Sequence, residues 1–222
     1  MMEIKDTSKN KGIKLIKEVR LFGESNGRAV FPIENTAISA VVKRIVLKLH
    51  EWRYSMGRDD TLDVVFSSVL PVGFSGYTDD DGRYYVGVSE EDLFALADGK
   101  NMPLLVSALE TVFLKMYCVT ECLFRAGFVV DSALKSARYG EKMTACFLEE
   151  RTEEKDAVVY VRVLDSGMIQ PMLCICNKDG SGEKRWKLPE MTDLSSLGKL
   201  KIGIEKVTIE DENGTEFVSF DT

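Results

Sequence analysis

The sequence predicts an α+β fold. It has a central buried helix at about residues 104–126 and an amphipathic helix at about 36–54. Both pack on a mainly antiparallel sheet, and a β-rich part follows at the C-terminus. Three observations carry this. The run LLVSALETVFLKMYCVTECLFRA places Leu105, Leu109, Val112, Met116, Val119 and Leu123 at helical spacing. Ile38, Val42, Ile45 and Leu49 repeat at the same spacing after Asn35, whose side chain is a good N-cap. Beyond residue 140, short apolar runs alternate with turn-forming clusters, as in a meander or small sandwich.

Taken in order, residues 1–12 are polar and lysine-rich. Residues 13–22 read as a strand, with a helix as the alternative, and Asn26–Gly27 is turn chemistry. Residues 29–31 form a short strand that Pro32 stops. The helix at 36–54 presents Ile38, Val41, Val42, Ile45, Leu49 and Trp52 as one packed stripe, and Lys43, Arg44, Lys48 and Arg53 as a cationic exposed side. Residues 62–70 are β-rich. Asp81–Gly82 marks a hairpin turn from which residues 84–88 return as a strand. Ser89 and Asp92 have the spacing of a capping box and open a short helix that Gly99 closes.

Pro103 suits the start of the 104–126 helix, because its missing N–H is not needed there, and Gly127 suits its end. Residues 133–139 could add a last helical turn. Strands follow at 143–149, 157–164, 168–176, 184–188, 201–210 and 216–220, with one helical turn at 190–198. This divides the chain into an α+β part, 1–135, and a β-rich antiparallel part, 140–222, with one continuous domain as the alternative.

Composition narrows the function classes. An apolar fraction of 45% with 29% charged residues is that of a globular protein with a core. A net charge of −7 argues against bulk attraction to nucleic acid or anionic lipid. The first 60 residues are net basic, so the acidity lies in the middle and C-terminal parts. No 18-residue apolar window lacks charges, and the N-terminus has no apolar signal segment. Five cysteines without a regular framework fit a reducing compartment, so the expected location is cytoplasmic, with no membrane association.

Catalytic and metal-binding motifs are weak. Cys118 and Cys122 share a helix face, and Cys174 and Cys176 share a strand face. Both pairs sit in apolar runs without zinc-knuckle spacing and read as buried thiols. A calcium loop through Asp79 and Asp81 would need acids at Tyr77 and Val88. His50 is the only histidine and reads as a residue at the edge of its helix's packed stripe. No nucleophile elbow or phosphate-binding glycine loop occurs. The sequence therefore implies no cofactor and no metal.

What remains is acidic. Asp79, Asp80 and Asp81 form one hairpin tip, and Glu149, Glu150, Glu153 and Glu154 another. Trp186 is an aromatic amid cations, either an interface anchor or a cap on the β core. These are the candidate partner-binding residues. They suit a non-enzymatic protein-binding module, of the acidic inhibitor or immunity type, that docks on a basic protein partner and not on nucleic acid. That comparison is one of class and rests on no motif. The alternatives are an oligomeric scaffolding subunit using exposed β edges, or an enzyme using carboxylates or a cysteine. Nucleic-acid binding would have to use the cationic helix side.

Overall fold

The computed structural model describes residues 14–26, 29–77, 82–117 and 123–221. The N-terminal part holds β1 (Glu18–Glu24), β2 (Phe31–Pro32), α1 (Thr36–Glu51), β3 (Thr61–Ser67), β4 (Ser75–Tyr77), β5 (Tyr84–Gly87), α2 (Glu90–Ala97), α3 (Met102–Met116) and α4 (Leu123–Ala137). Its sheet has the order β2-β1-β3-β5-β4. The three central strands are parallel, and the two short edge strands are antiparallel to them. Parallel neighbours need a crossover, and α1 supplies it between β1 and β3.

After a 3-10 turn at Gly140–Lys142 come β6 (Ala145–Arg151), β7 (Lys155–Val163), β8 (Ile169–Asn177) and β9 (Lys184–Lys187), an antiparallel sheet in sequence order. β10 (Lys199–Ile202), β11 (Lys206–Glu210) and β12 (Glu216–Asp221) form a second antiparallel sheet. The α+β class holds, and antiparallel pairing predominates across the three sheets.

Two hydrophobic clusters form the interior, and α1 is the wall between them. Ile38, Val42, Ile45 and Leu49 pack into the first, with Val64, Phe66, Leu109 and Val130. Ala40 and Leu47 pack into the second, with Val159, Val161, Leu173 and Val207. Burying Leu47 contributes about 2 kcal/mol. Helix α1 is therefore apolar on two sides, not on the single stripe its sequence suggests.

The caps follow their residue types. Asn35 accepts from Ala37 N–H at 3.0 Å and Ile38 N–H at 3.2 Å. At the other end, Tyr54 N–H donates to Leu49 C=O and Arg53 N–H to His50 C=O, the Schellman pattern. Arg53 takes the left-handed position at φ 57° that glycine usually fills, so this helix ends at Glu51, short of residue 54. Ser89 accepts from Asp92 N–H at 3.1 Å, as its spacing predicts, and Gly99 follows α2 at φ 77°.

The structure changes five expectations. Within 104–126 the described residues belong to two helices, not one. Tyr117 is extended (φ −67°, ψ 115°) and ends α3, and Gly127 lies inside α4, which runs on to Ala137. The cationic side of α1 is not free. Arg44 is buried, Lys43 donates to Gly167 C=O and Thr192 C=O, and Lys48 pairs with Glu51. The single strand at 201–210 is a hairpin, because Gly203 N–H turns back to Lys206 C=O at 2.8 Å, with Ile204 at its exposed tip. Residues 190–198 make bends and a turn in place of a helical turn. Trp52, assigned to the packed stripe, is 43% exposed and meets Phe128 edge-on.

Candidate functional site

Glu149, Glu150, Glu153 and Glu154 all stand on the β6–β7 hairpin, at one end of the four-stranded sheet. Thr152 closes that hairpin. Its N–H and hydroxyl donate to Lys155 C=O at 2.9 and 3.0 Å, and its Oγ1 accepts from Lys155 N–H at 3.0 Å. The β8–β9 turn is tied to the same end. Lys178 N–H donates to Glu154 C=O at 2.8 Å, and Lys178 Nζ bonds Asp156 at 2.5 Å. This turn adds Asp179 and Glu183 to the acidic end.

Local pairs neutralise part of this charge. Glu149 is matched by Arg151, Asp156 by Lys178, and Glu183 by Arg185. Glu150, Glu153 and Glu154 are exposed and have no ion-pair partner among the described residues. Asp179 is held below the usual carboxylate range by the hydroxyl and N–H of Ser181. Glu183 is held low by the Cys174 thiol and by Arg185. Asp179 and Glu183 therefore hold their charge to lower pH than free carboxylates do.

Trp186 lies on β9, in register with Leu173 and half-buried, with its ring 5.2 Å from that of Phe220. It packs against the second hydrophobic cluster, on the opposite side of its strand from the neighbouring Arg185 and Lys187. The structure does not gather it with the hairpin glutamates. Asp79, Asp80 and Asp81, and with Asp81 the turn signal it forms with Gly82, lie outside the described residues, and β4 and β5 on either side of them pair antiparallel.

Cys146, Cys174 and Cys176 are free and half-buried, so Cys174 and Cys176 are not the buried pair expected, and two of these thiols resist ionisation. Cys174 is pushed up to about 11 by desolvation and by its contact with Glu183, which accepts from Sγ at 3.1 Å. Cys146 is raised too, by burial and by Glu149 and Glu51. Cys118 and Cys122 lie outside the described residues. No group of three or more His, Cys, Asp or Glu among the described residues is placed to hold a metal ion. His50 donates from Nδ1 to Ile16 C=O at 2.9 Å and stacks on Phe147 at 4.7 Å. Burial lowers its pKa, against the opposing effect of the Ile16 carbonyl. It borders a cleft of about 350 Å³ shared with Lys17, Lys199 and Glu212.

A larger feature went unread in the sequence. A trench of about 910 Å³ runs along β1, over Val42 and Val46 of α1, to a far wall at residues 192–195. Both of its walls come from segments distant in sequence, so only the strand–helix–strand order around α1 could have hinted at it.

No protein-family model, no curated protein and no solved structure matches this chain. No helix among the described residues is long and apolar enough to cross a membrane.

Proposed function

We propose that the chain is a non-enzymatic protein-binding module whose acidic hairpin end docks on a basic protein partner, in the manner of an acidic inhibitor or immunity-type protein. The supporting observation is that Glu150, Glu153 and Glu154 are exposed without an ion-pair partner among the described residues. They stand on a hairpin that Thr152 and Lys178 hold in place. Fixed charges of one sign raise the rate at which an oppositely charged surface is met, and docking costs little backbone entropy because the hairpin is already ordered.

The test begins with native mass spectrometry of the protein purified at low salt from its own host, to identify a stoichiometric basic partner. Association of that partner is then timed with the wild type and with a variant carrying Glu150→Lys, Glu153→Lys and Glu154→Lys. The variant is expected to associate about 10 to 100 times more slowly at low ionic strength, with the difference shrinking as salt rises. Equal rates for the two proteins at low salt would remove the proposal.

A further inference from the structure

Part of the β1 edge has no strand beside it among the described residues. Even-numbered residues of β1 turn their peptide groups to β3. Glu18 N–H donates to Asp60 C=O at 3.2 Å, and Glu24 C=O accepts from Ser68 N–H at 2.9 Å. Odd-numbered residues turn the other way, as Leu21 C=O shows by accepting from Ile33 N–H at 2.9 Å. On that side β2 pairs only with Phe22 and Gly23. The next outward residue, Val19, has no strand beside it among the described residues. Its N–H and C=O, and the N–H of Leu21, face the trench.

The trench matches an extended chain. Its floor and far wall carry apolar side chains, from Val42 and Val46 to Leu194. Val19 and Leu21 point to the same side of the sheet as α1, because both belong to the cluster that α1 helps build. A strand laid against β1 would therefore alternate, one residue toward α1 and the next toward the face of Glu18. Of the trench cations Lys17 and Arg20 are ion-paired, and Lys43 keeps its charge within the field of Asp193 and Glu18. Lys17 bonds Glu212 at 2.6 Å, Arg20 bonds Asp63 at 2.6 Å, and Lys43 serves two carbonyls. Glu18 has no ion-pair partner among the described residues. Asp193 is held ionised by the hydroxyl and N–H of Ser195. Glu18 and Asp193 together outweigh Lys43, so the charge left over is a single net negative one.

From this geometry we infer that the trench receives an extended segment of a protein partner as an added strand on β1. That segment carries apolar residues toward α1 and a basic residue opposite Glu18. The inference rests on the protein-binding reading and names a second contact for it. Backbone hydrogen bonds to Val19 and Leu21 give affinity, and the alternating side chains give selectivity.

The probe is a blocked hexapeptide of alternating lysine and valine, with alternating glutamate and valine as its control. Added to the 15N-labelled full chain at about 1 mM, the lysine peptide is expected to shift the Val19 and Leu21 amide resonances and slow their hydrogen exchange, with the glutamate peptide bound more weakly. Val19→Pro removes one outward donor and leaves the groups facing β3 in place, an edge position where proline is tolerated. It is expected to weaken peptide binding about tenfold or more. Ser39→Tyr, which fills the trench from α1, is expected to do the same and keeps the question open to test should the proline variant not fold.

Unmoved Val19 and Leu21 resonances, or equal binding by the wild type and both variants, would overturn the inference. The two proposals separate with the natural partner. Loss of association in the triple lysine variant alone refutes strand addition. Loss in Val19→Pro and Ser39→Tyr alone supports strand addition and refutes the acidic docking end.

Discussion

Replacing Arg44 with methionine separates an interior tie from a surface ion pair. The guanidinium, 5% exposed, donates to Val163 C=O from Nε at 3.2 Å and from Nη2 at 3.0 Å, and it also reaches Asp165. Val163 is fully buried, and the neighbouring Ile169 N–H is directed to Met191 C=O, so Arg44 is what satisfies that carbonyl. Arg44→Met keeps the aliphatic stem and strands the carbonyl, at a cost of about 1–3 kcal/mol, with lost charge-assisted bonding placing the sum in the upper half of that range. The side chain of Asp165 is 77% exposed, so water screens its share to at most about 1 kcal/mol. Urea unfolding followed by far-ultraviolet circular dichroism is the assay. At a slope of about 2 kcal/mol per molar, Arg44→Met is expected to lower the midpoint by about 1 M, and Asp165→Asn by less than half as much. The reasoning is refuted if the two substitutions cost the same, or if Arg44→Met leaves the midpoint in place.

Three further outcomes follow from single contacts. Tyr54 is fully buried and its hydroxyl donates at 2.7 Å to Phe113 C=O in the last turn of α3, so Tyr54→Phe is expected to cost about 1–2 kcal/mol in the same urea assay. A Cβ on Gly87 would stand 2.0 Å from Pro71 C=O, a backbone atom that cannot swing aside, so Gly87→Ala should lower the thermal midpoint by several degrees, about 2 kcal/mol or more. His50, chiefly through burial, has its folded pKa below the ordinary 6.5, so the unfolded chain binds its proton first. The stability tied to neutral His50 is complete above pH 6.5 and is lost as pH falls toward the folded value. Urea midpoints measured across that window should fall less steeply in His50→Gln, and identical slopes would contradict the assignment.

Much of the fold could be read from local chemistry. Asn35, Ser89, Gly99 and Pro103 act where their side chains or backbone freedom place them, and the hairpin strands after residue 140 fall close to their expected positions. The errors in the helices share one cause, which is that periodicity reports apolar faces without saying what covers them. Apolar spacing continues from α3 into α4 without a glycine or proline between Met116 and Leu123, so the sequence carries no sign of the break. Lys43 and Arg44 look like a solvated helix side until the β7–β8 turn brings carbonyls to them. Of the candidate site, the acidity of the β6–β7 hairpin was legible, because adjacent glutamates in a turn are exposed in nearly any fold. Which of them lack a cation depended on strand register, and the trench depended on two distant segments meeting.

The double duty of α1 also sets a schedule for synthesis. The helix leaves the ribosome early, whereas the strand that covers Leu47 ends only at Val163. At ribosomal rates the second apolar side of the helix waits roughly 6 to 20 s for its cover. During that interval the nascent chain displays Ala40 and Leu47 to solvent, and a chaperone that shields short apolar stripes has its natural substrate there.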